Sequence, residues 1–173
     1  AIRPLQTMRS VLRLSGERAD KRLAHWRQVA VSACEQCGRN HVPEVFPLQG
    51  VAGYLAATAG ARRCVLAPGA GAALTALPPP EGALHLLVGP EGGWDESELA
   101  AFCAAGCTAV GLGPRVLRTE TAGLAALAAM QALDPVAYRC QHALDLVVLA
   151  FGQRQAQVTL EHHLARRSAY RFG

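Results

Sequence analysis

Lys21 is the only lysine among 17 basic residues. Nearly all positive charge is therefore arginine, whose planar fork suits phosphates and base edges, although a GC-rich coding bias gives the same composition with no partner involved. Aromatic residues are scarce, at 5% against 51% hydrophobic residues overall. Much of the difference is alanine, so a helix-rich core with closely spaced elements is expected. No apolar run approaches the roughly 20 residues that a bilayer span needs; the most apolar stretch is only Leu144 to Phe151, and no segment reads as a signal peptide. A soluble, cytoplasmic protein with no membrane partner is expected. The six cysteines do not sit in a small secreted chain of the kind that disulfides frame. Cys34-x2-Cys37 and Cys103-x3-Cys107 would supply four thiolates, but a single CxxC is a weak zinc signal and the second spacing suits one face of a helix. Free, partly buried thiols and no metal are expected. No G-x-G-x-x-G opens a first helix and no lysine follows a glycine loop as in a P-loop, which counts against a Rossmann-type nucleotide enzyme.

What is present is an alternation of short apolar runs and helical patterns. The length of 173 residues suffices for one domain with a proper core. Ile2 to Leu5 fits a strand and 10–15 a connection. Leu23, Trp26, Ala30, Ala33 and Cys37 recur at three- and four-residue steps, which marks one face of a helix from Gly16 to Gly38. Further strands are expected at Val42 to Phe46, Arg63 to Ala67, Leu84 to Val88 and Ala109 to Leu112. Helices are expected at Val51 to Ala59, Asp95 to Ala105 and Thr119 to Leu133. Asp95 or Trp94 should cap the second of these, where three carboxylates meet the positive end of the helix dipole. The run 78–80, all proline, is a stiff connector. Alternation of this kind predicts an α/β fold, a mostly parallel sheet with helices on both faces.

Two segments carry more information than the rest. Leu86-Leu87-Val88-Gly89-Pro90-Glu91-Gly92-Gly93-Trp94 and Val110-Gly111-Leu112-Gly113-Pro114-Arg115-Val116-Leu117-Arg118-Thr119-Glu120-Thr121-Ala122 are each a buried strand broken by Gly and Pro and followed by a helix. Ligands bind at that edge of an open α/β sheet, where loop amides and helix N-termini are free. On this reading Gly92 and Gly93 remove the Cβ that would hold a ligand away, and Pro90 and Pro114 stiffen the loops.

The wording GPEGG followed by LGPRVLRTETA resembles the SPOUT superfamily of RNA methyltransferases and, within it, the ribosomal RNA small subunit methyltransferase E family. Arg22-Leu23 and Trp26, Glu35 to Asn40, and Val42-Pro43-Glu44-Val45 match upstream in the same order, over roughly Ile2 to Leu133. The resemblance implies a C-terminal trefoil knot, a homodimer, S-adenosyl-L-methionine as cofactor, and methylation of N3 of a uridine in small-subunit (16S) ribosomal RNA or the assembled small ribosomal subunit. It implies a methyltransferase domain over 1–133 that lacks the family's N-terminal RNA-binding barrel and its first strand and helix. Residues 134–173 would form an extension, with a helix from Pro135 to Phe151 and a polar, basic end that is either partly disordered or an RNA-contacting arm. A remnant that binds cofactor without efficient methylation is the alternative.

By the resemblance, the cofactor pocket maps to Leu66, Ala67 and Pro68; to Val88, Gly89, Pro90, Glu91, Gly92 and Gly93; and to Leu112, Gly113, Leu117, Thr119, Thr121 and Ala122. The family commonly has Leu-His-Pro where this chain has Leu66-Ala67-Pro68, so any role of that histidine is lost. Arg115 and Arg118 either hold the target nucleotide's phosphate or developing anion, or bridge to Glu91 or Glu120. Glu120 is either a general base for the imide proton or a helix cap. Gln36, Arg39 and Asn40 lie near the RNA substrate in the family pattern; a plain helix end and turn explains them as well. None of the six histidines reads as a catalyst. The helix after Thr119 has an apolar face of Leu124, Leu127, Ala128 and Met130 to Leu133, the expected dimer surface.

Overall fold

A computed structural model describes residues 1–11, 13–78 and 83–133, with the backbone of 144–145. Its centre is a five-stranded sheet of β3 (Arg62–Leu66), β4 (Ala72–Ala73), β5 (Leu84–Leu87), β6 (Thr108–Gly111) and β7 (Leu144–Asp145). The order is β4-β6-β3-β5-β7 and every pair is parallel. A separate parallel pair joins β1 (Leu5–Gln6) to β2 (Gln49–Gly50).

Side chains alternate across the sheet and so build two cores. On one face Cys64, Leu66, Leu84, Leu86, Val88 and Val110 meet α1 (Gly16–Gln36), through Trp26, Val29 and Ala30, and α4 (Thr119–Leu133), through Ala126, Leu127 and Met130. On the other, Val65 and Leu87 meet Tyr54 of α2 (Val51–Ala57) and Phe102 of α3 (Glu96–Ala104). Both faces are covered, as a parallel sheet requires.

Helix ends follow local chemistry. Asp95 caps α3: its Oδ1 accepts from the Ser97 backbone N–H at 3.0 Å, and Glu98 Oε2 accepts from the Asp95 N–H at 3.0 Å, a capping box. The helices α1 and α3 stop alike, at Gly38 (φ 66°) and Gly106 (φ 80°). In each, the next N–H reaches back into the helix, Arg39 to Cys34 and Cys107 to Phe102, closing a Schellman motif.

Several expectations are corrected. The strand at Ile2 to Leu5 shrinks to β1 plus one bridge from Ile2 to Val45, and the strand at Val42 to Phe46 is only that bridge. Pro4, Pro43 and Pro47 have no N–H to donate, so a continuous ladder cannot form here. Helix α2 ends at Ala57 instead of Ala59, because the Thr58 hydroxyl caps it on the Tyr54 carbonyl at 2.8 Å. The strands β2 and β4 are two residues each, too short for a periodic signal. A helix over Pro135 to Phe151 conflicts with β7, where Leu144 pairs with Leu84 of β5; the remaining readings beyond Leu133 lie outside the described residues. Among the described residues no helix is long and apolar enough to cross a membrane.

The thiol pairs separate. Cys34 and Cys37 belong to one core and Cys107 to the other, on opposite faces of the sheet, and all five described cysteines are free.

Candidate functional site

The carboxyl ends of β3, β5 and β6 open into one cavity of about 590 Å³, a size within the range of small-ligand sites. The segment after β3 contributes Leu66, Ala67 and Pro68. The loop after β5 contributes Val88 to Trp94. The loop after β6 contributes Leu112, Gly113 and Arg115 to Arg118, with Thr119, Glu120 and Ala122 from the first turn of α4. Of the pocket residues expected from sequence, only Thr121 is missing from the wall, and it is exposed.

Three further wall residues are Trp94, Val110 and Val116. Trp94 is buried, donates its indole N–H to the Leu66 carbonyl at 3.0 Å, and stands edge-on to Phe102 with ring centres 4.9 Å apart. Its place immediately after the glycines was the available signal. Val110 follows from strand alternation, whereas Val116 lies 75% exposed at the rim, a placement no apolar pattern announces.

Gly89 and Gly92 make room for protein neighbours at this wall. A Cβ on Gly89 would lie 3.0 Å from Trp94 Nε1, so Gly89 makes room for the indole. A Cβ on Gly92 would lie 3.2 Å from Arg9 Cβ, so Gly92 makes room for the turn after β1. Gly93 has φ 71°, and its N–H donates to the Pro90 carbonyl at 2.8 Å. It holds a turn in the left-handed region that favours glycine.

Arg115 and Arg118 are exposed on the cavity wall. Among the described residues no ion pair within 4.0 Å joins either to Glu91 or Glu120; the pairs found are Arg9 with Asp95 and Lys21 with Glu17. The bridging alternative is therefore not what the structure adopts. Glu120 Oε2 is buried with no hydrogen-bond partner. A buried polar atom without a partner is costly, and this one belongs to a wall residue of the cavity. Thr121 and Ala122 donate backward to the Arg118 carbonyl at 2.9 and 2.8 Å, so α4 begins at the wall and brings its positive end there.

Gln36, Arg39 and Asn40 stay outside this cavity. They occupy the Schellman turn that ends α1, with Gln36 and Asn40 exposed. His25 and His41 are exposed. His85 is buried 3.0 Å from the Tyr54 hydroxyl, a structural pair whose burial, ahead of any other influence, pushes the Tyr54 phenol up. His142, His162 and His163 lie outside the described residues.

The apolar face expected to be a dimer surface is partly taken up by the chain's own core. Leu127 and Met130 are buried in the chain's own core, at 4% and 3% exposure, because α4 needs them against the sheet. Leu133 remains exposed, and Leu124 and Ala128 are half-buried.

Residues 1–131 match the RNA methyltransferase domain family. The chain is similar to proteins named ribosomal RNA small subunit methyltransferase E. That of Mycobacterium bovis is 39% identical over 153 residues, covering 79% of this chain and 56% of the relative. That of Bacillus subtilis is 35% identical over 136 residues, covering 73% and 53%. Among solved structures, the Neisseria gonorrhoeae ribosomal RNA small subunit methyltransferase E bound to S-adenosyl methionine superposes with a TM-score of 0.71 at 44% identity, covering 77% of this chain and 54% of that one. A Legionella pneumophila protein in complex with the bound cofactor SAM gives 0.71 at 33% identity, covering 75% and 54%. The chain spans about half the length of the curated relatives it matches.

Proposed function

The chain belongs to the RNA methyltransferase domain family, and on that premise we propose that its cavity holds S-adenosylmethionine for methyl transfer to N3 of a uridine in small-subunit ribosomal RNA. The observation that carries this reading is the convergence of the loops after β3, β5 and β6 on one cavity. Its chemistry suits the cofactor. Leu66, Val88, Leu112 and Leu117 offer an apolar slot for an adenine, with loop backbone groups at the same wall. Two solved relatives are bound to that cofactor.

The cofactor supplies a methyl group already activated on a sulfonium, which leaves the protein to position the acceptor and manage its proton. Glu120 is the base in this reading. Its Oε2 has no partner to displace, so it can accept the imide proton once the base is in reach. Arg115 and Arg118, unpaired with the nearby carboxylates and exposed at the wall, are placed to grip a phosphate or to stabilise charge developing on the uracil oxygens. The assembly we infer is a homodimer through Leu124, Ala128 and Leu133, with Gln36, Arg39 and Asn40 meeting RNA beside the partner's site. Light scattering at micromolar concentration reporting only monomer would remove that assembly.

Calorimetric titration with S-adenosylmethionine, ATP and NAD tests the pocket. Transfer of a labelled methyl group to small ribosomal subunits, with nucleoside analysis for 3-methyluridine, tests the reaction. Binding of S-adenosylmethionine alone and a 3-methyluridine product are expected. Preference for ATP or NAD would remove the cofactor reading, and binding without transfer would favour a cofactor-binding remnant.

A further inference from the structure

The turn after β1 is silent in the sequence, yet it is fastened to the start of α3 and to the Gly92 wall of the cavity. Its own shape is fixed by two buried hydroxyls: Thr7 N–H donates to Ser10 Oγ at 3.0 Å, and the two side-chain oxygens are 2.8 Å apart. From this turn the Met8 N–H donates to Glu98 Oε1 at 2.8 Å, on the carboxylate that also completes the cap of α3. Arg9 then spans the loop after β5. Its Nη1 donates to the Gly92 carbonyl at 3.2 Å and its Nη2 meets Asp95 Oδ2 at 3.4 Å. The backbone of Gly92 lies so close beneath the Arg9 side chain that a Cβ there would be 3.2 Å from Arg9 Cβ and 3.6 Å from the Arg9 carbonyl oxygen.

We propose that Arg9 is a positioning residue, one that sets the shape of the Pro90–Gly93 turn and thereby the affinity of the cavity for its cofactor. The proposal rests on the reading of the cavity as the S-adenosylmethionine site. Gly92 and Gly93 have no side chains to hold the turn, and glycines cost the most conformational entropy to order. Within the turn one backbone bond, Gly93 N–H to the Pro90 carbonyl, holds it, and side-chain support comes from outside. Trp94 supplies it from the Leu66 side, and Arg9 from the other by taking the Gly92 carbonyl and so fixing the plane of the peptide that follows. Both Arg9 and its ion pair are solvent-exposed, which keeps their contribution to global stability small. Preorganisation of a binding loop appears instead in affinity.

The test compares the full chain with Arg9→Ala, Arg9→Lys, Asp95→Asn and the double variant Arg9→Ala/Asp95→Asn, by calorimetry with S-adenosylmethionine and by thermal unfolding. Asparagine keeps the helix cap while removing the charge that Arg9 meets. Arg9→Ala is expected to weaken binding about tenfold, the worth of one charge-assisted hydrogen bond, with an unfolding midpoint close to that of the parent. Lysine, which cannot fork to both acceptors, should recover part of the loss. The double variant should bind no more weakly than Arg9→Ala alone, because the two side chains act through one contact. Parent-like affinity in Arg9→Ala overturns the clamp. So does unchanged affinity with reduced methylation of ribosomal subunits, which would make Arg9 an RNA contact. Failure of the parent chain to bind S-adenosylmethionine overturns the reading of the cavity, and the clamp with it.

Discussion

Trp94 donates its indole N–H to the carbonyl of Leu66 at 3.0 Å, and this contact ties the loop after β5 to the end of β3. Gly89 lies against the same indole, where a Cβ would come within 3.0 Å of Nε1. Two walls of the cavity therefore share one buried ring.

Removing that ring should disturb fold and site together. Trp94→Ala is expected to cost about 3–5 kcal/mol in urea unfolding and to weaken cofactor binding. Trp94→Phe keeps the edge contact with Phe102 but forfeits the hydrogen bond, at about 1 kcal/mol. Equal stability of the phenylalanine variant and the parent would show that the Leu66 carbonyl does not need the indole.

Chemistry and binding should separate at the second loop. Glu120→Gln keeps the shape of the side chain and removes the base, so methylation should fall by about 10²-fold or more while cofactor affinity changes little. Arg118→Ala should likewise reduce methylation far more than cofactor binding, since its guanidinium has no carboxylate partner within 4.0 Å among the described residues. Loss of stability in either variant, read by thermal unfolding, would assign these residues to structure.

Arg63 is a third case, buried at 5% exposure with its guanidinium donating to the Leu55 carbonyl, the Thr58 hydroxyl and the Ala105 carbonyl. It joins the ends of α2 and α3 beneath the sheet. Arg63→Ala leaves those acceptors without their donor and should cost about 1.5–3 kcal/mol in urea unfolding, with cofactor affinity retained in the folded fraction.

Burial pushes the Cys64 thiol up to about 11 from its ordinary 9.0, and burial also raises Cys34 and Cys107. In the unfolded chain these thiols ionise near their ordinary value, so the folded state holds more protons over that interval. The stability they contribute is complete below pH 9 and is lost as pH rises towards 11. Urea midpoints should fall across that window and fall less steeply in Cys64→Ala. Mass-mapped alkylation at pH 8 should label exposed Cys103 well before Cys64.

The parts of the fold legible in the sequence are those with a period or a breaker. Helices α1, α3 and α4 were visible in their spacing and capping residues, and strands β3, β5 and β6 as apolar runs ended by glycine and proline. The pocket wall followed, because the ends of neighbouring parallel strands lie together. What was illegible depends on distant partners. Nothing near Gly92 announces Arg9, and nothing near Leu66 announces the indole of Trp94. Leu127 and Met130 looked like surplus apolar area because periodicity shows which face is hydrophobic but not how much of it the sheet covers.

Among the described residues the sheet order β4-β6-β3-β5-β7 contains no adjacent antiparallel pair, so this sheet offers no hairpin with which to begin. β3 meets β5 only after the β4 segment has been passed, and meets β6 only after β5 and α3 as well. Each ladder closes a long loop before any of its bonds form. Refolding from denaturant should be slow for a chain of this size, on the order of milliseconds to seconds. The cavity, which needs all three central strands, should then be the last feature to appear: recovery of cofactor binding should lag recovery of helical signal in a stopped-flow experiment.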